Sequence, residues 1–109
     1  MLSWNIPRQY QTRQMVAVIW DGNNNERYWC LCMYISAEED GTHKIDHLEN
    51  VIRNTTDWVR PCNDDIQNVH EIQILQVDVK GEWNLSKRAP TFTVSNKKEI
   101  EQIFQKYLS

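Results

Sequence analysis

Glycine is scarce, with three residues in a chain of 109. Loops that cradle phosphate need glycines clustered within a few positions, so neither a dinucleotide fingerprint nor a P-loop is present. Cysteine is as sparse and odd in number. Cys30 and Cys32 alternate inside an apolar run and Cys62 follows Pro61, the pattern of reduced, intracellular thiols rather than a disulfide framework. The paired CxxC of a zinc ribbon is missing. No apolar run approaches 18 residues, so no membrane span is expected. The opening "MLSWNIPRQYQ" lacks the charged and apolar regions of a secretory signal. Cations are not in excess either: 12 Lys and Arg face 15 Asp and Glu, a net charge of −3. That balance disfavours a nucleic-acid footprint, which is usually basic. A Lys- or Arg-rich protein tail is a better electrostatic match.

What is present is aromatic. Hydrophobic residues make up only 40% of the chain, but five are Trp, and each such ring can bury about 150–250 Å². The length suits one folded domain. The richest segment is "VAVIWDGNNNERYWCLCMYI", residues 16–35. Its β-branched run at 15–20 predicts a buried strand. "DGNNNE" predicts a turn, because Gly and Asn tolerate positive φ. "RYWCLCMYI" at 27–35 predicts the returning strand of a hairpin. Alternation would send Tyr28, Cys30 and Cys32 to one side and Trp29, Leu31 and Met33 to the other, one set being core.

Beyond the hairpin, "SAEEDG" predicts an acidic turn and "HKIDHLENV" (43–51) a third strand with one wet face. A turn at Asn54 and a short strand around Trp58 follow, stopped by Pro61. Ile66, Val69, Ile72 and Ile74 fit one or two helical turns leading into a strand, "QILQVDV". Residues 80–90 read as a loop carrying Trp83, and "TFTV" as a last strand. Ile100, Ile103, Phe104, Tyr107 and Leu108 form the apolar stripe of a C-terminal helix. Asn96 and Glu99 have the spacing of a capping box. Residues 1–14 read as an arm anchored by Trp4.

Chemistry is poorly represented. His43 and His47 share one face of a strand but lie about 13 Å apart at the usual rise, too far for one zinc. Cys62 could pair with His70, but the carboxylates of "PCNDD" raise a thiol pKa rather than lower it. Asp64 and Asp65 read as a solvated helix start. A non-catalytic protein with no metal and no cofactor is expected.

From Val16 to about Leu75 the chain resembles the Tudor-like and SH3-like small barrels. The order is "VAVIW", a turn with Asp-Gly, "YWCLCM", an acidic turn, "HKIDHLEN" and a closing "VHEIQIL". It also resembles the C-terminal barrel of integrase- and transposase-like proteins, whose "WY" strand and "W-x-x-P…D-I…I-L" segment match "WVRPCNDDIQNVHEIQIL". The resemblance implies a mainly β fold: a five-stranded barrel over 15–79, with the arm at 1–14 and a loop, short strand and helix packed on it over 80–109. Tudor-like members hold methylated Lys or Arg in an aromatic cage, where ring faces attract a poorly hydrated cation. Carried across, the cage positions fall on Trp20 and on Trp29 or Tyr28. The third-strand positions fall on Ile45 and Leu48, which are not aromatic. Asp21, His47, Asp46 and Glu49 are left to complete a pocket.

Three functions are expected in this order. The first is a chromatin- or nucleus-associated module binding a basic or methylated peptide at Trp20, Asp21, Tyr28, Trp29 and His47. The second is a scaffold or oligomerisation domain using the final helix. The third is a nucleic-acid-binding barrel whose basic face draws on Arg8, Arg13, Arg27, Arg53, Arg60, Lys87 and Arg88.

Overall fold

The computed structural model describes residues 9–50, 56–86 and 88–109. Trp4, the turn at Asn54, and Arg8, Arg53 and Lys87 lie outside them. The fold is mainly β: two antiparallel four-stranded sheets and one C-terminal helix. The first sheet has the order β1 (Met15–Asp21), β2 (Arg27–Ala37), β3 (His43–His47) and β6 (Ile66–Val69). The second has the order β4 (Glu49–Asn50), β5 (Asp57–Val59), β8 (Thr91–Val94) and β7 (Gly81–Asn84). Among the described residues, eight strands in two sheets stand in place of the expected five in one closed barrel.

The hairpin forms as its pattern predicts. β1 and β2 pair in unbroken register from Met15↔Met33 to Asp21↔Arg27. Its turn contains Asn24 and Asn25 at φ 59° and 62°, the left-handed region that Asn enters at low cost. The expected third strand is two strands. The chain leaves the first sheet at buried Leu48, whose N–H donates to Leu31 O (3.1 Å), and enters the second as β4. Alternation of side chains continues through such a crossing, so it leaves no mark on the sequence.

The helical turns expected near Ile66 are instead β6, which pairs with β3 from Asp46↔Ile66 to His43↔Val69. A single 3-10 turn, Glu71–Gln73, follows, with Ile72 exposed. The acids read as a helix start anchor β6. Asp46 is buried and accepts from Asp65 N–H (3.2 Å) and from Arg60 Nη2 (3.3 Å), and Arg60 also holds Asp64. The strand expected at 73–79 contracts to a bridge: Ile74 pairs with Val18, and Leu75 N–H donates to Ala17 O. The expected loop at 80–90 contains β7, with Trp83 opposite Phe92.

One core lies between the sheets and the helix, built from Met15, Ala17, Ile19, Leu31, Leu48, Trp58, Phe92, Ile100 and Phe104 among others. A second, of Val16, Val18, Cys32, Tyr34, Ile45, Val69 and Ile74, covers the other face of the first sheet. Both sets of the β2 alternation are therefore buried along its middle, not one. At the edge of the second core Tyr10 stacks on Tyr34 (4.9 Å between centroids). Below it runs a polar chain. Tyr34 Oη and His43 Nδ1 share a 2.7 Å hydrogen bond, His43 Nε2 lies 3.4 Å from Glu71, and Tyr10 donates to the same carboxylate at 2.9 Å. Burial, then Glu71 and Glu38, push the Tyr34 phenol above its usual pKa.

Helix α1 (Lys97–Leu108) matches its predicted stripe in part. Ile100 and Phe104 are buried and Ile103 packs on the core, whereas Tyr107 and Leu108 are exposed. Asn96 is the N-cap residue, but its side chain makes no cap bond. Its amide instead ties the helix start to the preceding chain, accepting from Lys80 N–H and donating to Asp78 O and Glu99.

The three cysteines are unpaired, with Cys30 and Cys32 buried and Cys62 exposed. Burial raises the Cys30 thiol from 9.0 to about 11 and raises Cys32 well above its ordinary value. A thiol reagent is expected to label only Cys62 in the folded protein and all three in denaturant. Because these thiols ionise more readily unfolded, stability is present in full below pH 9. The Cys30 contribution is lost as pH rises from 9 towards about 11, and Cys32 adds to the fall in the same direction. Chemical denaturation from pH 8 to 10.5 measures that fall.

Candidate functional site

The departure of the chain at Leu48 opens the site. β3 pairs with β2 only over Cys32–Ala37. Once β4 turns away to join β5, the outer edge of β2 before Leu31 has no hydrogen-bonded strand among the described residues, although β4 stays close beside it. A cavity of about 840 Å³ occupies this wedge. Arg27, Tyr28, Trp29 and Cys30 form one wall, Leu48, Glu49, Asn50 and Trp58 face them, and the first turns of α1 close an end.

Four rings reach the cavity: Tyr28, Trp29, Trp58 and Phe104. Tyr28 is 46% exposed and lies over Gly22, where an added Cβ would meet its ring at 3.3 Å. Trp29 and Trp58 pack with centroids 5.7 Å apart. Trp58 is buried with its indole N–H unpartnered.

Three carboxylates, Glu26, Glu49 and Glu101, also line the cavity. Arg27 is matched by Asp21 (3.1 Å) and rests over the Tyr107 ring (5.8 Å). Lys97 is the further Lys or Arg in the lining. The wall is therefore aromatic and on balance acidic, the combination that attracts an organic cation.

Of the five residues named from sequence, the fold brings Tyr28, Trp29 and His47 to this cavity. Trp20 and Asp21 are not among its lining residues. Trp20 faces the side of β1 that carries Val16 and Val18, packs against both cores, and meets His47 edge-on (5.5 Å). Asp21 forms the ion pair with Arg27 at the hairpin end. Asp46 is buried in its own hydrogen bonds. Ile45 lies in the second core and Leu48 in the first, and the further rings in the cavity lining are Trp58 and Phe104. These arrive from the second sheet and the helix, outside the stretch the resemblance covers for Phe104.

Among the described residues no group of three or more His, Cys, Asp or Glu is placed to hold a metal ion. No helix of the described residues is long and apolar enough to cross a membrane. Comparisons with protein-family models, with curated proteins and with solved structures find no match to this chain.

Proposed function

We propose that this protein is a non-catalytic interaction module that holds a basic or methylated side chain of a partner protein in the cavity beside β2. The observation that carries the reading is the meeting of four rings with three carboxylates that form no ion pair among the described residues. A methylammonium keeps its charge while shedding hydration, so ring faces attract it and a nearby carboxylate adds to the attraction. The proposal extends to a chromatin-associated, nuclear setting, where methylated tails are displayed.

The Tudor-like, SH3-like assignment belongs to the same proposal. It is supported by the succession of β1, β2, β3 and β6, each antiparallel to the last, followed by a 3-10 turn and a return to β1 at Ile74. In this reading the fifth barrel strand is reduced to that bridge, and the second sheet is an addition carrying Trp58.

The nucleic-acid alternative draws less support, because Arg27 and Arg60 are engaged by Asp21, Asp46 and Asp64. The scaffold alternative is weakened by the use of Ile100 and Phe104 on the domain's own core.

The test is calorimetric titration with capped peptides carrying lysine, acetyl-lysine or trimethyl-lysine. Trimethyl-lysine is expected to bind best and acetyl-lysine worst. Tyr28→Ala removes an exposed ring, so it should keep the melting temperature while weakening binding about tenfold. Equal binding of the acetylated and methylated peptides would count against a cation site.

A further inference from the structure

We infer that the partner enters as an extended strand, adding itself to the free outer edge of β2 over Arg27–Trp29. The inference rests on reading the cavity as a binding site and assigns how the site is filled.

Consecutive residues of a strand point to opposite faces, so a pocket on one face is lined by every second residue. Here Arg27, Tyr28, Trp29 and Cys30 all line the same cavity, and so do Leu48, Glu49 and Asn50 across from them. The cavity therefore runs along the edge of β2, beside its backbone, rather than over one face of the sheet.

Hydrogen-bond parity shows which backbone groups face it. In an antiparallel ladder alternate residues bond to one neighbour and the residues between them point to the other. Tyr34 N–H donates to Gln14 O, and Gly22 N–H donates to Glu26 O at the far end of the same register. Even-numbered residues of β2 thus bond towards β1. Odd-numbered residues point outward, as Leu31 O does in accepting from Leu48 N–H. By the same parity Trp29 and Arg27 direct their N–H and C=O groups away from β1, towards the side where β4 diverges and no strand is paired to them among the described residues. An edge with free donors and acceptors is a template for another strand. A peptide there continues the line of β3 past the point where the chain turns off.

Side-chain chemistry selects the occupant. Glu26 comes from the hairpin end, Glu49 from β4 and Glu101 from the helix, and they line the same cavity as the four rings. With Arg27 matched by Asp21, the three carboxylates face Lys97 alone among Lys and Arg in the lining. The fitting occupant is an extended peptide with one methylated or free lysine aimed at the rings, its backbone paired to Trp29.

The experiment uses the full chain and a capped seven-residue probe, trimethyl-lysine flanked by alternating Thr and Val. Two versions carry backbone N-methyl groups, one on amides of the trimethyl-lysine's own parity and one on the amides between. A capped trimethyl-lysine amide serves as the side-chain-only probe. Strand addition predicts that the peptide binds at least about tenfold tighter than the capped amino acid, because it adds backbone hydrogen bonds. It also predicts that one N-methylated version loses about tenfold or more while the other stays within about threefold. Amide exchange at Trp29 slows on binding. Equal affinity of peptide and capped amino acid, or equal loss in both N-methylated versions, overturns strand addition and leaves the cation site standing. Concentration-dependent dimerisation that the peptide does not compete gives the edge to a second copy and also overturns it. No binding of any probe at millimolar concentration overturns both readings.

Discussion

Gly81→Ala is expected to cost the most of any single-methyl change in this protein. A Cβ at Gly81 would stand 2.1 Å from Thr93 O and within 2.9 Å of two carbons of the Phe92 ring. Phe92 is buried, pairs with Trp83 on β7 and packs edge-on against it (5.4 Å). The oxygen belongs to the backbone of β8, so no rotamer change relieves the clash. Either β7 separates from β8 or the β8 backbone shifts beneath Phe92. Overpacking of this kind costs about 1–3 kcal/mol and sometimes more, and backbone contact puts this case at the upper end. For a domain of this size that lowers the melting temperature by about 10–20 °C. Gly41 offers a comparison with a different cause. It sits at φ +88° with nothing within 4 Å of an added Cβ, so alanine there meets only backbone strain, about 1–2 kcal/mol. Thermal unfolding of both variants should rank Gly81→Ala clearly below Gly41→Ala. The reverse order would mean that β7 is not seated on β8 as described.

Ile100→Ala is expected to be the most damaging truncation on the helix. Ile100 is fully buried in the core between the sheets, where Phe104, one turn on, is 6% exposed and also lines the cavity. Ile100 therefore reports docking of the helix without touching the cavity wall. Truncating a buried Ile removes its transfer free energy and leaves a cavity, about 2–5 kcal/mol together. The expected loss is about 10 °C or more. Tyr107→Ala, at a position 37% exposed, should stay within about 0.5 kcal/mol of the parent. An unchanged melting curve for Ile100→Ala would mean that the helix does not cover the core.

The two cases show why parts of this fold were legible and others were not. β1, β2 and α1 each carry their own period: a β-branched run, an aromatic strand beyond an Asn-rich turn, and an i, i+3, i+4 stripe. β7 does not. "GEWN" has a glycine, two polar residues and one ring, and becomes a strand only because β8 lies beside it. β6 carries a helical spacing, Ile66 to Val69, but its four residues are too few to nucleate a helix against the offered edge of β3. Hydrogen bonds from β3, with Asp46 holding Asp65, decide the outcome.

The candidate site divides in the same way. Tyr28, Trp29 and His47 are near in sequence or in strand register, and local pattern was enough to assemble them. Glu49, also offered from sequence, lines the cavity as well, whereas Trp58, Phe104 and Glu101 reach it only through the crossing at Leu48 and the docking of α1, which no local pattern encodes. Trp20 could have been assigned to the interior from sequence. It shares parity with Val16 and Val18, the two most buried β-branched residues of its strand, and its half-buried ring packs against both cores.

The cation site is the claim on which the functional account turns. Its most direct measurement is NMR of a peptide whose trimethyl-lysine methyls are carbon-13 labelled, titrated with the full chain. The account predicts that the methyl protons move upfield on binding, as they must between ring faces, with Overhauser contacts to Tyr28 and Trp29. Methyl protons left at their free position under saturating protein, or contacts confined to Trp83 and the far sheet edge, would contradict it.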